Sequence, residues 1–131
     1  MPQRATVDLD LIVHLEKSNV LAFVEVMLAL GYVPRAPIKA EDLADPIQRQ
    51  RWISEKGMMV FSFIHSRNSY EVVDVFVREP KPFAELYAHR LTISAFSSSI
   101  EVVGKDDLIE MKRTAGRDKD LFDIQQLKKK T

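Results

Sequence analysis

Arg4-Ala5-Thr6-Val7-Asp8-Leu9-Asp10-Leu11-Ile12-Val13 is the stretch whose reading decides the fold. From Val7 to Val13 the run favours β structure and alternates strictly. A strand here sets Val7, Leu9, Leu11 and Val13 on one face and Asp8, Asp10 and Ile12 on the other. Residues two apart on a strand point the same way, so the two carboxylates project side by side from an otherwise apolar segment. Such a strand has one side to bury and one to present to water.

The next apolar recurrence has helical spacing. Leu21, Val24 and Leu28 predict a helix that Asn19 caps and Gly31 ends. Between Val33 and Glu55, Pro34, Pro37 and Pro46 stand among many charges. They predict an excursion of one or two short helical turns in which Ile47 and Trp52 require burial. Met58 to His65 and Tyr70 to Val77 are β-rich runs parted by Ser66-Arg67-Asn68-Ser69, a turn composition, and so predict a hairpin. In its second strand Val73, Val75 and Val77 share a face opposite Val72, Asp74 and Phe76. A short helix around Phe83 to Tyr87, strands at Arg90 to Phe96 and Ile100 to Val103, and helices over Lys105 to Thr114 and Asp118 to Lys130 complete the reading. Lys128, Lys129 and Lys130 read as a solvated helix end. The expected fold is α+β, a mixed and mostly antiparallel sheet flanked by helices, in one domain spanning residues 1–131.

Composition agrees with a folded chain and narrows its partners. With 46% hydrophobic and 29% charged residues among 131, neither a disordered nor a fibrous reading fits. Nineteen basic residues balance nineteen acidic ones, so a polyanion must be met by a local cluster, not by global charge. The chain has no cysteine, which removes disulfides and thiolate metal sites and suits a reducing, cytoplasmic location. No run approaches the roughly 18 to 20 apolar residues of a membrane span, and Asp8 and Asp10 interrupt any reading of the start as a signal peptide.

Ten aspartates make one Asp-x-Asp triplet expected by chance, and Asp118 with Asp120 is a second. Placement on a strand says more than spacing. If the Tyr70 to Val77 strand lies near the first, Asp74 joins Asp8 and Asp10. Two carboxylates about 4 Å apart repel by about 4 kcal/mol at an effective dielectric near 20, so a cluster of three needs compensation. Hard divalent cations supply it, and Mg²⁺ takes carboxylates together with substrate phosphates. The alternative is an exposed strand face for Asp8 and Asp10, with Asp74 paired to an arginine.

The same residues carry a family resemblance. The run Arg4 to Val13 resembles the strand bearing the metal-binding aspartates of the DNA polymerase beta-like nucleotidyltransferase superfamily. More narrowly, it is similar to the bacterial minimal nucleotidyltransferases and related abortive-infection toxins. Glu71-Val72-Val73-Asp74-Val75-Phe76 resembles the strand of the third aspartate. Lys105 to Arg113 followed by Gly116 to Ile124 resembles the closing helical part. The resemblance implies a nucleotidyltransferase-like fold in which Asp8, Asp10 and Asp74 hold Mg²⁺ (or Mn²⁺). Asp74 would help deprotonate an acceptor hydroxyl, on RNA or protein, that displaces pyrophosphate from a nucleoside triphosphate. It further implies that Lys112 and Arg117 meet phosphate charge, against the alternative of surface salt bridges with Glu110, Asp118 or Asp120.

One departure bears on catalysis. In the family a helix opening with Gly-Gly or Gly-Ser, about a dozen residues before the first aspartate, holds the triphosphate. Here Gly31, Gly57, Gly104 and Gly116 all lie later. Positioning supplies much of phosphoryl-transfer catalysis, so turnover is expected to suffer. An uncovered apolar sheet surface is expected to drive homodimer formation or recruit a partner subunit. The rival reading is a non-catalytic interaction protein, antitoxin-like or a scaffold of a toxin-antitoxin locus. His14, His65 and His89 lack zinc-site spacing and read as structural or surface residues. Trp52, Phe61 and Phe63 read as core. Arg4 and Thr6 lie beside the aspartates, where phosphate contact competes with capping or surface roles.

Overall fold

A computed structural model describes residues 7–95 and 97–115. The fold is α+β, and the chain divides into two compact units, Met1–Glu79 and Pro80–Thr131.

The first unit begins with strand β1, Val7–Leu11, as the alternation predicts. Helix α1 follows at Lys17–Ala29. Its cap is Glu16, not Asn19: the Glu16 carboxylate accepts from the Ser18 and Asn19 amides, while Asn19 Nδ2 donates back to the His14 carbonyl. Gly31, at a φ of +92° that glycine alone adopts freely, turns the chain into strand β2, Tyr32–Pro34. The excursion is more ordered than its prolines suggest. A 3-10 turn at Ala40–Ala44 leads into α2, Pro46–Lys56, an 11-residue helix. Asp45 caps it through the Ile47 amide, Pro46 sits where its missing N–H costs nothing, and Gly57 closes it at a φ of +61°. Trp52 is buried as expected, but Ile47, in the first turn of α2, is 70% exposed.

Strands β3, Val60–His65, and β4, Glu71–Phe76, form the predicted antiparallel hairpin. The sheet order is β1-β4-β3-β2, with β1 parallel to β4 and the other neighbours antiparallel. One face of this sheet carries the core. Val73, Val75, Phe61 and Phe63 meet Val20, Val24 and Met27 of α1, Leu43 of the 3-10 turn and Trp52 of α2. The rings interlock: Phe23 stands edge-on to Phe63 at 6.1 Å and Trp52 is tilted against Phe61 at 5.5 Å. Burying these large side chains contributes about 1.5 to 3 kcal/mol each, which fixes the sheet register and commits the opposite face to whatever the alternate residues carry.

The second unit contains α3, Phe83–Ala88, the antiparallel pair β5, Leu91–Ala95, and β6, Ser98–Val102, and α4, Lys105–Ala115. Gly104 lets α3 and α4 come close within it, since a Cβ there would stand 2.5 Å from the His89 carbonyl oxygen. Leu86 and Ile109 are its buried apolar residues among those described. The predicted helix over Asp118 to Lys130 lies outside the described residues.

Candidate functional site

The sheet register brings the three sequence-predicted aspartates to one face. Asp10 of β1 is directly in register with Asp74 of the parallel β4, and Asp8 is in register with Val72. In-register residues on paired strands share a face, and neighbouring strands stand about 4.8 Å apart. Asp8 lies one pleat repeat, about 6.6 Å, further along β1 on that face. Val73 and Val75 turn the other way into the core, so the packing that buries them also points Asp74 outward. Asp8 and Asp10 are exposed, as befits an edge strand, whereas Asp74 is half-buried.

Asp74 is also held. Ser62 of β3 is its register partner on the other side, and the Ser62 hydroxyl donates to Asp74 Oδ1 at 2.5 Å. One carboxylate oxygen is thereby fixed, and Asp74 also borders a pocket. That pocket has a volume of about 440 Å³ and is bordered by Asp8, Asp74, Arg35, Ser69 and Tyr70 over a floor of Ile64 and Val72. It falls in the size range of small-ligand sites, and its lining mixes acid, guanidinium, hydroxyl and apolar surface. The three carboxylates share that face without converging on one point: their oxygens are not gathered within 4.8 Å of one another, and Asp10 does not border the pocket.

A second acidic cluster was not anticipated. In the second unit one donor atom each from Glu85, His89 and Asp107 lies within 4.8 Å of the others, the set among the described residues gathered tightly enough to hold a metal ion. Its electrostatics are already satisfied from within. Lys81 Nζ stands 2.8 Å from Asp107 Oδ1, 2.6 Å from Glu110 Oε2 and 3.8 Å from Glu85 Oε1, and His89 Nδ1 lies 3.0 Å from Asp107 Oδ2. The hydrogen bond from Lys81 holds the buried Asp107 carboxyl below the usual carboxylate range, and the bonds to Asp107 and Glu110 raise the Lys81 ammonium above its ordinary value. A metal ion there has to compete with a resident ammonium, so the cluster reads as an ion-paired clasp between α3 and α4 and identifies no particular metal. The Glu85 to His89 spacing of four on a helix was the sequence signal for its first half. Lys81 and Asp107 came together only through the fold.

Of the remaining sequence-predicted residues, one is described. Lys112 is half-buried in the last turn of α4, in the second unit. Arg4, Thr6 and Arg117 lie outside the described residues. Sequence reasoning passed over Ser62 and Arg35, whose roles depend on which strands are neighbours. Comparison of the chain with protein-family models, with curated proteins and with solved structures finds no match in any of the three.

Proposed function

We propose that this chain is a metal-dependent nucleotidyltransferase, which moves a nucleotide from a nucleoside triphosphate to a hydroxyl acceptor. The observation that carries the reading is the parallel register of Asp10 with Asp74, with Asp8 on the same sheet face. Asp8, Asp10 and Asp74 are the residues that hold Mg²⁺ or Mn²⁺ in this reading. A cation held there would supply charge neutralisation at the phosphates and acidify a hydroxyl bound to it. Asp74, with Oδ1 occupied by Ser62, keeps its second oxygen to accept the proton of the acceptor hydroxyl. The acceptor in this reading is an RNA or protein hydroxyl and the location is the cytoplasm. Among the described residues no helix is long and apolar enough to cross a membrane.

Two measurements test this. Mn²⁺ raises the melting temperature of the wild type and fails to do so in the Asp8→Asn, Asp10→Asn double variant; an equal response in both rejects the metal site. Incubation with labelled nucleoside triphosphates, Mg²⁺ and mixed RNA and protein acceptors releases pyrophosphate in the wild type and not in Asp10→Asn. A non-catalytic interaction protein is the competing reading, favoured by the exposed apolar residues of α1, Leu21, Val26 and Leu28. It predicts metal binding without pyrophosphate release.

A further inference from the structure

We infer that Glu85, His89 and Asp107 form a metal site in the second unit, and that it takes a divalent cation of the Zn²⁺ class as a structural ion. The site is separate from Asp8, Asp10 and Asp74 and does not depend on the nucleotidyltransferase reading.

The chain itself brings the three side chains together. Glu85 lies in α3 and His89 caps its C-terminus four residues on, so the two fall on one side of the helix. Asp107 comes from the first turn of α4. Gly104, just before α4, sits so near His89 that a Cβ would stand 2.5 Å from the His89 carbonyl oxygen. The approach of His89 to Asp107 is thus built into the backbone. His89 Nδ1 and Asp107 Oδ2 are 3.0 Å apart. Zinc bonds of about 2.0 to 2.1 Å set neighbouring ligand atoms roughly 2.9 to 3.4 Å from each other, so this pair already has the spacing of one edge of a coordination shell. Glu85 supplies the third donor, within 4.8 Å, from a long and exposed side chain. Asp107 is buried, which fixes one ligand, while the exposed Glu85 and His89 leave a way in for the ion and room for water.

Lys81 is a competitor that can be displaced. Its Nζ stands 2.6 to 3.8 Å from three carboxylates, those of Glu85, Asp107 and Glu110, so one positive charge is shared among three negative ones. A cation that takes over Asp107 leaves Lys81 with Glu110 at 2.6 Å, and neither charge is stranded. The histidine decides the class of metal. Sets of oxygen donors alone suit Mg²⁺ and Ca²⁺, whereas an imidazole with carboxylates suits Zn²⁺, which also stands above Mn²⁺ in the general order of affinities. The second unit has a use for such an ion. Its buried apolar residues among those described are Leu86 and Ile109, and units with so small a core are commonly stapled by a metal.

The test uses the full chain with Zn²⁺ alone as the probe, titrated calorimetrically and followed by thermal melting in far-ultraviolet circular dichroism. Glu85→Gln and His89→Gln change exposed side chains and are expected to keep the fold while weakening Zn²⁺ binding roughly tenfold or more. The Asp8→Asn, Asp10→Asn double variant is expected to bind Zn²⁺ within about twofold of wild type. Lys81→Met, which removes the competing ammonium, is expected to melt lower without metal and to bind Zn²⁺ more tightly. A wild type that binds Zn²⁺ no better than about 1 mM overturns the inference, as does a His89→Gln affinity within about twofold of wild type. Loss of Zn²⁺ binding in the Asp8, Asp10 double variant places the ion on the sheet face and overturns it too, and none of these outcomes alters the Mn²⁺ test of the sheet-face site.

Discussion

At the scale of single residues, the part of the site that the sequence disclosed is the part that period-2 alternation alone determines. Asp8 and Asp10 had to share a face if Val7 to Val13 was a strand, and Asp74 had to oppose Val73 and Val75. That Asp74 should stand level with Asp10 was not derivable, because the register of a parallel pair is set by core packing between distant segments. Ser62 was invisible for the same reason, and it carries a prediction. Its hydroxyl fixes one oxygen of Asp74, so Ser62→Ala frees that carboxylate to rotate without disturbing the core, whose members on β3 are Phe61 and Phe63. Partners of metal ligands commonly cost ten- to a hundredfold in affinity when removed. The expected outcome is an apparent Mn²⁺ affinity weakened by roughly tenfold with a metal-free melting temperature close to wild type. An unchanged affinity means that Asp74 needs no such support, or that it is not a ligand.

At the scale of elements, the strands were legible because β-branched and aromatic runs bounded by turn residues leave few alternatives, whereas α2 was read as a looser excursion because prolines obscured it. Pro46 is the first residue of the helix, where it starts the element instead of breaking it. Helix α1 was found by its spacing, yet that spacing understated how apolar it is. From Val20 to Leu30 the single charged residue is Glu25. Val20, Val24 and Met27 enter the core, while Leu21, Val26, Leu28 and Leu30 remain 38%, 56%, 40% and 61% exposed. A helix that is apolar all round is ordinarily covered all round. We propose that a second copy of the chain covers part of this exposed apolar surface. Sedimentation or light scattering at low micromolar concentration is expected to show a dimer, and Val26→Glu with Leu28→Glu is expected to return it to monomer, since neither side chain belongs to the core. A wild-type monomer under those conditions defeats the proposal.

At the scale of the whole molecule, the sequence supported one domain, and the contacts resolve two compact units whose stabilities have different physical origins. The first owns the aromatic and aliphatic core around Phe61, Phe63 and Trp52. In the second, the described residues bury little apolar surface beyond Leu86 and Ile109, and the clasp of Lys81 with Asp107 and Glu110 ties the segment leading into α3 to α4. The pH response of that clasp has a definite sign. Asp107 has a carboxyl pKa lowered from 3.8 by the Lys81 hydrogen bond, so its contribution is complete above 3.8 and is lost as pH falls through its lower folded value. Lys81 is shifted upward from 10.5, so its contribution is complete below 10.5 and is lost only in strong alkali. Across neutral pH neither changes, and acid attacks the clasp through Asp107. The single tryptophan, Trp52, lies in the first unit's core and reports on that unit alone. Lowering the pH below 3.8 is therefore expected to change far-ultraviolet circular dichroism before tryptophan fluorescence responds. In Asp107→Asn the neutral-pH melting temperature drops by several degrees and the early acid phase shrinks, because Glu110 remains as a carboxylate paired with Lys81. Superimposable acid transitions by the two probes mean that the units unfold as one, and that the clasp does not set the acid limit of the fold.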